Sequence, residues 1–100
     1  MYMKVHAHGH STIVALCDKE NMGKVLRKGG LVLDLKAHAY FYKGTLVSEA
    51  VAARALKEAD SINLVGKRAV ALAKKLGLAS DSDVMRIGGV PHVQVYRITV

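Results

Sequence analysis

Lys67 and Arg68 are the residues in this chain whose type and position most clearly invite a ligand. They stand near the head of an amphipathic segment, Leu64 to Leu76, in which Val65, Ala69, Leu72, Ala73 and Leu76 fall on one stripe of a helical wheel. Asn63, or Ser61 before it, is placed to cap such a helix, and Gly77 to close it. The first turn of a helix carries unpaired N–H groups and the positive end of the macrodipole, so cations there call for an offsetting negative charge. Asp60 in the preceding turn is the internal candidate. A phosphate seated on the N–H groups of Val65, Gly66 and Lys67 is the external one. Gly66 fits either account, because a glycine inside a helix costs about 1 kcal/mol relative to alanine and is useful where a backbone or ligand must approach closely. Here the approaching body is a phosphate, or a preceding helix presenting Ala52, Ala55 and Ala59. Lys74 and Lys75 complete a four-cation set, although their place near the helix C-terminus suits the dipole without any ligand.

A second group is Gly88-Gly89-Val90-Pro91-His92. It reads as a tight connection between strands and as a possible ligand loop, with His92 available for proton transfer or for an ordinary hydrogen bond at a sheet edge. Neither the spacing of a nucleoside triphosphate loop nor Gly-x-Gly-x-x-Gly occurs, so nucleotide hydrolysis is unsupported. His6 and His8 alternate onto one strand face and can present two imidazoles to a metal, with His10 or Asp18 as a third ligand. Lys4 on the same face opposes a cation, and a solvated strand face is favoured, so no metal site is assigned. Cys17 lacks a neighbouring base and reads as a buried small hydrophobe. Tyr40, Phe41 and Tyr42, between Lys36 and Lys43, offer rings for base stacking or for the core. No cofactor is indicated.

These residues need a scaffold, and the chain bounds it. One hundred residues, 51% of them hydrophobic, make one domain, 1–100, with a core that needs no metal or disulfide staple. Fifteen Lys and Arg against eight Asp and Glu give a net charge of +7, which suits an anionic partner such as RNA. A single cysteine excludes an internal disulfide and multi-cysteine metal sites. No apolar run is long enough for a membrane helix, and the N-terminus lacks a signal-peptide pattern, so a cytoplasmic protein is expected.

Alternating runs predict a hairpin from Tyr2 to His8 and Thr12 to Cys17, turning at Gly9-His10-Ser11, and a third strand over Leu31 to Leu35 after Arg27-Lys28-Gly29-Gly30. Lys36 to Thr45 reads as a strand end or an ordered loop. A helix from Glu49 to about Ala59 follows, capped by Ser48. After the second helix and a polar break at Asp81-Ser82-Asp83 come strands at Val84 to Ile87 and Val90 to Val100. The order, roughly β-β-β-α-α-β-β, predicts an α+β fold, a mostly antiparallel sheet with a helix pair packed on one face.

Asn63-Leu64-Val65-Gly66, then Arg68-Ala69-Val70, and Ile87-Gly88-Gly89-Val90-Pro91-His92 resemble an archaeal family called domain of unknown function 424. The resemblance extends to Val5-His6 and Leu31-Val32-Leu33, nearly the whole chain. It implies an archaeal, cytoplasmic, single-domain protein and carries over no catalytic activity, substrate or active site. His6, His8 and His10 lie outside its pattern. Three functions follow as expectations. The first is a small basic RNA-associated or phosphate-binding module, accessory to translation or RNA processing, using Asn63, Gly66, Lys67, Arg68, Lys74 and Lys75, with base contacts from the Tyr40 region. The second is a small enzyme or ligand-binding domain whose pocket joins Asn63–Arg68 to Gly88, Gly89 and His92. The third is a structural partner-binding protein.

Overall fold

The computed structural model describes residues 1–96. Strands β1 (Tyr2–His8) and β2 (Ser11–Cys17) form the expected antiparallel hairpin, with Tyr2 opposite Cys17 and His8 opposite Ser11. A second hairpin, β3 (Val25–Lys28) and β4 (Leu31–Asp34), makes a separate two-stranded sheet. The predicted third strand is therefore present, but it pairs with β3 rather than joining the main sheet. Lys36 to Thr45 becomes a single helical turn, α1 (Ala39–Tyr42), leading to the two-residue strand β5 (Thr45–Leu46) beside β1.

Helix α2 (Glu49–Glu58) is capped as predicted, with Ser48 Oγ accepting the Val51 N–H at 3.3 Å. Ala52 and Leu56 face the core, as does Ala59 beyond the helix, whereas Val51 turns to solvent. Next comes the main departure from expectation. Ser61–Val65 is not the start of a helix but a strand, β6, and helix α3 spans only Lys67–Lys75. Gly66 joins them at φ +112°, a conformation that no helix interior contains. The cost of a helix-interior glycine is thus never incurred. Gly77 ends α3 as expected, its N–H donating to the Lys74 carbonyl while Leu78 N–H donates to that of Ala73. A one-turn 3₁₀ helix at Asp81–Asp83 follows, and then the hairpin β7 (Met85–Ile87) and β8 (Val90–Tyr96). The predicted end of that last strand, residues 97–100, lies outside the described residues.

The fold is α+β. Its main sheet has the order β5-β1-β2-β6-β8-β7, antiparallel except where β2 and β6 run side by side in the same direction. The helix pair covers one face, packing Ala52, Leu56, Ala69, Leu72 and Ala73 on Val14, Leu16, Ile62, Leu64 and Val93. The opposite face, with Ala15, Cys17, Val65 and Ile87, is covered by Leu26, Leu35 and Tyr42 from the β3–β4 hairpin and the α1 region. Covering on both faces is why β2 runs apolar from Ile13 to Cys17 and why β6 is apolar on either side of Asn63, so that its end is easily taken for a buried helix stripe.

Candidate anion-binding groove

The start of α3 is closed to external ligands by the protein itself. Asp18, immediately after β2 and 1% exposed, receives the Arg68 N–H on Oδ2 at 2.8 Å and the Ala69 N–H on Oδ1 at 2.9 Å. Gly66 N–H donates to the Pro91 carbonyl at 2.9 Å. Asp18 thus acts as an N-cap delivered from a distant strand, replacing the side chain that Gly66 lacks. The expected offset from Asp60 is absent, because Asp60 Oδ2 accepts the Thr12 N–H at 2.8 Å. Phosphate on the helix-start amides is therefore corrected: a carboxylate already holds that place.

The reason for Gly66 changes with it. A Cβ there would stand 2.3 Å from Asp18 Cγ, so the close neighbour is Asp18, not the alanine face of α2. Asn63 is neither cap nor anion ligand. It lies buried in β6, and its Oδ1 accepts the Tyr42 hydroxyl at 2.6 Å.

The cations expected to act together are divided by the turn of the helix. Arg68 and Lys75 line a cleft with Met1, Val47 and Glu49, and Lys75 Nζ lies 3.8 Å from the Glu49 carboxylate. Lys67 and Lys74 sit two turns apart, about 10.5 Å along the axis, on the side facing β7. There they meet Lys28, at the end of β3, and Arg86, in β7, around an open groove of about 770 Å³. Between the cations its lining includes Val70 and Ala71 from α3, Val84 and Met85, and Pro91 from β8. One carboxylate borders it, Asp81, which is engaged by Lys74. That lysine holds the Asp81 carboxyl below the usual carboxylate range through hydrogen bonding and charge. Among the described residues, Lys28, Lys67 and Arg86 form no ion pair. Sequence reasoning found Lys67 and Lys74 but missed Lys28 and Arg86, which no local pattern links to α3.

Gly88 and Gly89 form the β7–β8 turn, and the second motif does meet the first: Val65 pairs with His92 across β6 and β8. Lys67 and Gly89 border a smaller recess of about 290 Å³, where Asp18 and Glu20 face Lys24 and Lys67, so its charge is balanced. His92 does not line it. The His92 Nδ1–H donates to the Leu64 carbonyl at 2.8 Å, and burial pushes the ring's pKa below its ordinary value, partly opposed by that hydrogen bond. The neutral ring is the folded form. Its contribution to stability is complete above the ordinary pKa of 6.5 and is lost as pH falls through the lower folded value. Thermal melts are expected to show wild type losing more stability than His92→Gln between neutral pH and pH ~5; parallel profiles contradict this.

The remaining candidates have structural employment. His6 Nε2 lies 2.8 Å from the Phe41 carbonyl, and its ring stacks on Phe41 at 4.3 Å. Among the described residues, no group of three or more His, Cys, Asp or Glu is disposed to hold a metal. Burial pushes the Cys17 thiol up to about 12, leaving it protonated and inert. Of the aromatic knot, Tyr42 is core and Phe41 half-buried; Tyr40 is exposed but lies beside β1, its carbonyl accepting from Lys4 Nζ, and does not border the groove. Among the described residues, no helix is long and apolar enough to cross a membrane.

Comparison with known proteins adds a family and a fold. Residues 5–98 match the family described as protein of unknown function (DUF424). A crystal structure of an uncharacterized conserved protein from Methanopyrus kandleri superposes with a TM-score of 0.78 at 29% identity, covering 99% of this chain and 95% of that one. No curated protein matches.

Proposed function

For this chain, which belongs to the DUF424 family of proteins of unknown function, we propose an RNA-associated module that grips phosphates in the groove between α3 and β7. The observation that carries the reading is convergence: Lys28, Lys67, Lys74 and Arg86 come from three separate elements to border one groove where, among the described residues, the one lining carboxylate, Asp81, is already matched by Lys74. Assembling like charges from distant parts of a chain is unfavourable in the free protein and is relieved by a polyanion. The net charge of +7 supports the same partner. Lys67 and Lys74 keep their assigned role, with Lys28 and Arg86 in place of Arg68 and Lys75. The setting is the cytosol of an archaeal cell, where the module is accessory to translation or RNA processing.

The test is affinity for a labelled RNA against salt. Lys28, Lys67 and Arg86, which form no ion pair among the described residues, predict that log K falls with log salt at a slope near −2 for a single strand, since each neutralised phosphate contributes about −0.7. A slope near zero, or no binding at about 50 mM salt, overturns the proposal.

A further inference from the structure

We infer that the groove takes single-stranded rather than duplex RNA, seating an unstacked base on its apolar floor between the phosphate-binding cations. The inference rests on the RNA reading above and adds the class of substrate. A surface that only tracks a sugar-phosphate backbone needs cations at intervals, with no requirement for what lies between them. Here the space between Lys28, Lys67, Lys74 and Arg86 includes apolar surface, with Ala71 and Met85 exposed, Val84 half-buried, and Val70 and Pro91 buried beneath them. At about 770 Å³ the open groove has room for one base between the cations. Met85 is the natural contact for a ring, because its thioether is polarizable and adapts to aromatic edges and faces.

A duplex keeps its bases stacked inside and offers a protein phosphates and 2′-hydroxyls, which would leave this floor uncovered. A single strand splays its bases outward, and each can stack on or pack against a protein surface. The cations at the rim then match the phosphates on either side of the seated base. Tyr40 takes no part in this, since it lies away from the groove.

The experiment compares an unstructured RNA of about 12 nucleotides with a duplex of the same length at about 100 mM salt, using wild type, Met85→Ser and Met85→Leu. Wild type is expected to prefer the single strand by about tenfold, the order of one base contact. Met85→Ser should lose most of that preference without changing the salt slope, and Met85→Leu should keep it. Met85 lies on an exposed edge strand, so both variants should fold, which a melting curve checks. Equal affinity for the two RNAs, or a preference untouched by Met85→Ser, overturns the inference and leaves the phosphate-binding reading standing. Binding of neither RNA overturns both.

Discussion

Gly66→Ala is expected to destabilise the fold by about 3–5 kcal/mol, a large share of what a domain of this size possesses. Two costs combine. At φ +112° an alanine is held in a region that L-residues rarely occupy, worth about 1–3 kcal/mol. Its Cβ would also lie 2.3 Å from Asp18 Cγ and 2.5 Å from Oδ2, so the carboxylate has to leave the positions from which it accepts the Arg68 and Ala69 amides. Urea denaturation measures the effect as a lower midpoint with an unchanged slope. A loss under about 1 kcal/mol would mean that the strand-to-helix junction tolerates a side chain and that the close approach described here is wrong.

Asp18→Ala is expected to cost about 2–5 kcal/mol, because it strands two amide N–H groups, one buried and one part-buried, and removes the negative charge at the positive end of α3. Asp18→Asn should recover only part of this, since an amide offers one acceptor oxygen where two are needed. The two positions should also couple. With Asp18 reduced to alanine, the atoms that a Cβ at position 66 would strike are gone, so Gly66→Ala in that background costs mainly its backbone strain. Strict additivity of the two substitutions in a double-mutant cycle would contradict the contact.

How far the sequence leads is clearest at this junction. Gly66 is visibly anomalous in a helix, and Lys67 and Arg68 at its start visibly call for a negative partner, for which Asp60 is the local candidate. Both signals were genuine, and a single residue explains them. That residue, Asp18, lies about fifty positions upstream, and only the parallel pairing of β2 with β6 brings it to the head of α3. Local pattern also carries the helix back to Leu64, with Asn63 or Ser61 as its cap, because the end of a strand buried on both faces merges with the apolar stripe of the helix that follows. Elements governed by neighbours in sequence were legible: the β1–β2 hairpin, the Ser48 cap, the Gly77 stop and the Gly88-Gly89 turn. Of the groove, the pair Lys67 and Lys74 follows from helical periodicity. Lys28 arrives from the end of β3 and Arg86 from the middle of β7, and no spacing rule connects them to α3.

The account's central claim is that the working cations are those bordering the groove, not Arg68 and Lys75 on the other side of α3. Two double variants that remove the same charge decide it: Lys28→Ala with Arg86→Ala, and Arg68→Ala with Lys75→Ala. In titrations of RNA affinity against salt, the first pair is expected to flatten the slope by about 1.4 while the second leaves it within error of wild type. Equal flattening by both pairs, or a change confined to Arg68 and Lys75, would contradict the groove as the docking place.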